Sequence, residues 1–228
     1  MLKQKNFSEE SLVRAFKNGN NTIRAVGFKA NLLSQIETSG GIPDLVGIRI
    51  SHIKILTKFS KSFPTLLLTN GYAKVLSVLS RKTYLSRENI LKKTGLSVTH
   101  FRKIISVMEG LKIIEKNQRG DYKFSKLFNI PKIELRSFEF KLHDWRSALR
   151  QSLRYRAFST RVTVVMPISK KNVLERNKKS FRRFRIGAAV FDKSTNQFYF
   201  VVKPLRCGVI SKKAYIDVLG RLKSNLYS

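Results

Sequence analysis

The chain has 228 residues, 42% of them hydrophobic, and carries 46 lysines and arginines against 14 aspartates and glutamates, a formal charge of +32. That content suffices for one or two packed cores, and so large an excess of one sign repels itself unless a polyanion neutralises it, which points to a nucleic-acid partner. No run approaches the ~18 apolar residues of a membrane span, and MLKQKNFSEE is too polar for a secretion signal. A cytoplasmic protein with no membrane partner is therefore expected. The lone Cys207 excludes an internal disulfide or a cysteine-rich zinc site, and His52, His100 and His143 are scattered, so only a hard cation held by carboxylates remains open.

Ser8 is a good N-cap, Glu9 and Glu10 follow it, and Leu12, Val13 and Phe16 make an apolar stripe, so residues 8 to 18 are expected to form a short amphipathic helix. Ile23 to Ile36 alternates as a strand, Thr38-Ser39-Gly40-Gly41 supplies a turn, and Pro43-Asp44 leads into LVGIRISHIKI, Leu45 to Ile55, alternating at period two. Residues 56 to 69 read as a crossing into a segment of different character.

From Gly71 the period is helical, with Tyr72, Val75, Leu76 and Leu79 on one face. Ser86 caps a second helix, Gly95 breaks it, and Ser97 caps a third with Val98, Phe101, Ile104, Ile105 and Met108 inward; Gly110 stands where a left-handed C-cap is wanted. Ile113 to Lys116 and Tyr122 to Ser125 then form a short hairpin. The stretch TGLSVTHFRKIISVMEGLKIIEKNQRGDYKFS resembles the winged helix-turn-helix of bacterial transcription regulators. The resemblance implies a third helix in the DNA major groove, presenting Ser97, Thr99, His100, Arg102 and Lys103, with Arg119 and Lys123 on a wing near phosphate or the minor groove.

After Pro131, KIELRSFEFKL returns to strand; its alternation slips once near Ser137, where a bulge is expected. Asp144 opens the basic helix DWRSALRQSLRYRAF, in which Gln151 and Tyr155 share a face. RVTVVMPI reads as a buried strand, residues 170 to 181 as a helix, Arg185 to Asp192 and Gln197 to Lys203 as a closing hairpin, and Ser211 to Leu226 as a terminal amphipathic helix.

An acid on one strand, acid-x-lysine on another and then a helix bearing Gln-x-x-x-Tyr is an order that resembles the PD-(D/E)XK nuclease superfamily. The triplet alone is weak, because it occurs twice here, at Asp121-x-Lys123 and at Glu139-x-Lys141. Only the second ends an apolar strand just before a capped helix. Taken singly, Glu139 and Lys141 also admit the lesser reading of a solvated ion pair on a sheet, and Pro43-Asp44 that of a turn; their agreement in order carries the resemblance.

The resemblance implies an α/β fold, a restriction-endonuclease-like mixed sheet flanked by helices, with the winged helix-turn-helix inserted. Residues 1–65 and 131–228 would form the nuclease-like domain and 66–130 the insertion. It implies Mg²⁺, or Mn²⁺ in its place, bound by Asp44, Glu139 and the Phe140 carbonyl. Lys141 would orient the attacking water, Gln151 would position water or substrate, and Glu10 would be an additional acid, with Glu9 or Glu37 as substitutes. Tyr155 reads as packing or catalysis.

The expected activity is endonucleolytic cleavage of double-stranded DNA, leaving 5′-phosphate and 3′-hydroxyl ends. A homodimer or successive nicks would cut both strands. The alternative is a DNA-binding regulator or structural protein whose nuclease-like domain is inactive. RNA processing fits less well, since a winged helix suits B-form grooves better than A-form ones.

Overall fold

The computed structural model describes residues 8–18, 25, 27, 29–38, 40–62 and 70–227, except Ser39 and the side chains from residue 223 onward. The chain divides into two compact units, Met1–Lys54 with Ile133–Ser211, and Ile55–Lys132 with Lys212–Ser228.

The first unit is an α/β layer built on a six-stranded sheet. In chain order it holds α1 (Glu9–Asn18), β1 (Ala30–Ser34), β2 (Leu45–Arg49), β5 (Leu135–Phe140), α6 (Trp145–Tyr155), β6 (Arg161–Pro167), α7 (Lys171–Arg176), α8 (Lys178–Arg183), β7 (Gly187–Asp192) and β8 (Gln197–Val202). The strand order is β1-β2-β5-β6-β7-β8. The β5–β6 and β6–β7 pairs are parallel and the others antiparallel, so the sheet is mixed and helices flank it. β5 and β6 are joined through α6, and β6 and β7 through α7 and α8, the crossovers that parallel pairs require. Phe16 of α1 contacts the rings of Phe138, Phe140, Phe191 and Phe198, which fixes α1 against the apolar side of the sheet.

Several sequence expectations are corrected here. β2 ends at Arg49, the last residue paired with β1, and Ile50–Ser62 is helix (α2) rather than a continued strand. Its buried Leu56 and Phe59 lie three residues apart, a helical spacing that competes with the period-two reading of the isoleucines before them. β5 keeps an unbroken register with both neighbours through Ser137, so there is no bulge. Ser137, Phe138, Glu139 and Phe140 are all buried, because both faces of this central strand are covered, and that erases the alternation. The register shift lies instead between Ala188 and Ala189. The helix expected over residues 170 to 181 is two short helices meeting at Asn177. Of the strand expected from Ile23, Ala30–Ser34 is formed, and residues 23, 24, 26 and 28 lie outside the described residues.

The second unit contains α3 (Asn70–Val78), α4 (Arg87–Thr94), α5 (Val98–Gly110), the hairpin β3 (Ile114–Lys116) and β4 (Tyr122–Phe124), and α9 (Lys212–Tyr227), which packs on α3. Ser86 and Ser97 cap α4 and α5 by accepting from the amides of Asn89 and His100. Gly95 closes α4 in the left-handed region, at φ 62°. After α5 it is Lys112, not Gly110, that takes positive φ, at 54°. A bridge between Leu85 and Tyr122 adds a one-residue third strand to the hairpin.

Candidate active site

β2 and β5 run antiparallel with Leu45 opposite Phe138. Continuing that register by one residue places Asp44 opposite Glu139, so the two acids meet at neighbouring strand ends. Asp44 Oδ2 accepts from the Phe140 amide at 2.7 Å, a bond between residues 96 apart in the chain. It ties the acid to the strand that carries the other acid.

Glu139 is only 3% exposed and is the centre of the cluster. Its Oε2 lies 2.7 Å from the Tyr155 hydroxyl, and its Oε1 lies 3.5 Å from Lys141 Nζ. The Tyr155 hydroxyl is also 3.0 Å from the Ile42 carbonyl, two residues before Asp44. One phenolic proton cannot serve both acceptors fully. Both contacts are satisfied when a protonated Glu139 donates to the phenol oxygen and the phenol donates to Ile42. Tyr155 thus joins the loop before Asp44 to the carboxyl on β5.

The loop can lie this close because it carries glycines. A Cβ on Gly40 would come within 2.9 Å of the Arg154 carbonyl, and one on Gly41, at φ +112°, would lie 3.3 Å from the Tyr155 ring.

Burial above all, and then the charge of Asp44, push the Glu139 carboxyl up to about 7. Asp44 is raised by burial too, partly offset by the Phe140 amide and Lys141. Burial alone would depress Lys141, but its bond to Glu9 and the charges of Glu139, Glu9 and Asp44 outweigh that and hold it above the ordinary lysine value. Tyr155 is raised by burial and by the Glu139 charge, so it stays a neutral phenol.

Of the two acids on α1, Glu9 joins the cluster: its Oε2 pairs with Lys141 Nζ at 2.8 Å and its Oε1 accepts from the Leu142 amide at 3.4 Å. Glu10 instead pairs with Arg14 at 2.8 Å in an exposed i,i+4 contact, and both line a groove with Asp44, Lys17 and Gln35. The sequence put Glu10 first and Glu9 as its substitute, whereas the structure brings Glu9 to Lys141; the choice depends on how α1 is rotated by Leu12 and Phe16. Gln151 Oε1 is buried without a hydrogen-bond partner, an acceptor left open one turn before Tyr155.

Among the described residues no group of three or more His, Cys, Asp or Glu side chains is arranged to hold a metal. The chemistry of the donors nevertheless fits a hard divalent cation. Two carboxylates stand on adjacent strand ends beside the Phe140 backbone, and an orphaned amide oxygen on Gln151 could accept from a coordinated water.

In the second unit, Ser97, Thr99, His100, Arg102 and Lys103 are all exposed on one end of α5, while Phe101, Ile104, Ile105 and Met108 are buried. Arg119 is exposed in the hairpin turn. Lys123 differs: its Nζ pairs with Glu115 Oε1 at 2.9 Å and lies 4.4 Å from the centre of the Tyr84 ring. It braces the hairpin rather than standing free.

No helix among the described residues is long and apolar enough to cross a membrane. No family model and no curated protein matches the chain.

Proposed function

We propose that the chain is a metal-dependent DNA endonuclease of the PD-(D/E)XK type, in which Asp44, Glu139 and Lys141 form the reactive centre and the α3–α5 unit with its hairpin acts as a winged helix gripping duplex DNA. The observation that carries this reading is the Asp44–Phe140 bond, with Glu139 and Lys141 on either side of Phe140: residues far apart in sequence, in the superfamily's order, meet at two paired strand ends. The Leu85–Tyr122 bridge supports the winged-helix part, since it anchors the hairpin to the start of α4.

Asp44, Glu139 and the Phe140 carbonyl would hold Mg²⁺ or Mn²⁺, which when bound lowers the pKa of a water and draws charge from the scissile phosphate. Lys141 supplies a fixed positive charge for the charge that develops on phosphate oxygens, and its raised pKa keeps it protonated for that task. Glu9 restrains its ammonium. Gln151 accepts from a water, and Tyr155 holds Glu139 and the Asp44 loop together.

Nicking and linearisation of supercoiled plasmid, with Mg²⁺, with Mn²⁺ and with EDTA, test the proposal. Cleavage by the native protein, lost with EDTA and in Glu139→Ala and Lys141→Ala while duplex binding persists, is the expected result. Tight, salt-sensitive binding without cleavage under any metal would select the regulator reading, which the exposed face of α5 also suits.

A further inference from the structure

α6 does more than carry Gln151 and Tyr155. Arg146, Arg150 and Arg154 recur at four-residue spacing along it and all three are exposed. At 1.5 Å rise per residue they stand about 6 Å apart in a row. Among the described residues no carboxylate pairs with any of the three. Asp144, which caps the helix, is occupied by the Ser147 amide at 3.0 Å. The charge of Asp144 reaches Arg146 and Arg150, but one carboxylate against three exposed arginines leaves the row positive, which is electrostatically unfavourable in a chain of +32 unless anions lie against it.

The position of the row indicates which anions. Around the helix, Ala148, Ser152 and Tyr155 face the sheet, the arginines face away, and Gln151 stands at the border between the two. The turn residues Gly40 and Gly41 press on the C-terminal end of α6, and Arg154 Nε lies 3.9 Å from where a Cβ on Gly41 would be. The row therefore ends at the loop that leads to Asp44. Successive phosphates of one DNA strand rise about 3.4 Å along the axis but lie roughly twice as far apart along the winding backbone, so arginines about 6 Å apart suit neighbouring phosphates.

We propose that Arg146, Arg150 and Arg154 form a phosphate track that seats the backbone of one DNA strand along α6 and delivers it to the Asp44–Glu139 carboxylates. The proposal rests on the nuclease reading for its destination, but the contact is one of binding and is measurable without catalysis. It gives the first unit a grip on DNA that is independent of α5. Arginine suits the task because its guanidinium bonds phosphate oxygens in a bidentate fork.

The test is the salt dependence of duplex binding by the full-length chain in EDTA, as the slope of log affinity against log salt. Each phosphate contact contributes about 0.9 to that slope for B-DNA, so R146Q/R150Q/R154Q should lower its magnitude by about 2 to 3. K54Q/K58Q/K61Q on α2 removes as many exposed charges elsewhere and should lower it by less than about 1. The corresponding triple lysine variant should keep most of the slope, which also shows that the helix tolerates change.

An unchanged slope in R146Q/R150Q/R154Q, equal losses in both glutamine triples, or no salt-dependent binding by the native protein would each overturn the track. Plasmid cleavage followed separately distinguishes the two readings. A reduced slope without any cleavage leaves the track standing as a DNA surface and removes the nuclease. Cleavage with an unchanged slope does the reverse.

Discussion

Glu139 is the residue on which the proposed chemistry and the stability of the first unit both turn. Its carboxyl is raised from 4.5 to about 7, so the folded state holds a proton that the unfolded chain releases earlier. With no metal present, that contribution to stability is complete below about pH 4.5, declines as pH rises towards 7 and is gone above it, a loss of at most about 3 kcal/mol. Glu139→Gln should therefore make the metal-free protein more stable by about 1–3 kcal/mol at pH 8 and leave it nearly unchanged at pH 4, as urea midpoints would report, while abolishing cleavage.

On the proposed reading, a bound metal would displace the same proton. Mg²⁺ affinity measured by calorimetry should rise with pH up to about 7 and then level, with proton release below that point.

Tyr155→Phe removes the hydroxyl between Ile42 and Glu139 without changing the ring that packs on Phe158. It should cost about 1 kcal/mol of stability and about 10- to 100-fold in metal affinity, with duplex binding in EDTA unchanged. At this scale the sequence named Asp44, Glu139 and Lys141 through their order. It left Tyr155 between packing and catalysis, because a hydroxyl's partners depend on the approach of a loop more than a hundred residues away.

Among the elements, those delimited by local chemistry were legible. Ser86 and Ser97 mark α4 and α5 correctly because a cap acts within one turn. Ser97→Ala should cost about 1 kcal/mol by removing the acceptor for the His100 amide, and since Ser97 also lies on the proposed groove-facing end of α5, it should weaken duplex binding as well; calorimetric unfolding and a binding titration separate the two effects. Elements delimited by tertiary pairing were not legible. The end of β2 is set by where β1 begins, at Ala30 opposite Arg49, and the apparent slip in β5 reflects a strand buried on both faces. The partner of Lys123, expected on a wing near DNA, was hidden for the same reason: Glu115 lies opposite it only once the hairpin is paired.

At the scale of the molecule, +32 is a standing repulsion that folding must overcome. Raising salt from about 0.05 to 0.5 M shortens the Debye length several-fold and should raise the Tm of the free protein. Duplex DNA at low salt should raise it further through preferential binding to the folded state, and thermal scans with and without DNA would record both shifts. Composition gives the sign of charge that a partner would have to carry. The division of the chain was less legible: the compact units alternate along the sequence, with 55–132 and 212–228 in one and the remainder in the other, so the last helix belongs with the segment that sequence reading treated as a simple insertion. α9 has an apolar face like any amphipathic helix, and nothing local says which surface will bury it.

The alternation also sets an order in time. During synthesis Asp44 leaves the ribosome long before Glu139, and β2 then waits on its β5 edge while the whole of 55–132 is translated. A polypeptide interrupted anywhere in that interval has Glu9 and Asp44 but neither Glu139 nor Lys141, and no Tyr155 to hold the loop. On the proposed nuclease reading, the reactive centre would then exist only once β5 and α6 have both emerged, and a prematurely terminated product would lack it altogether.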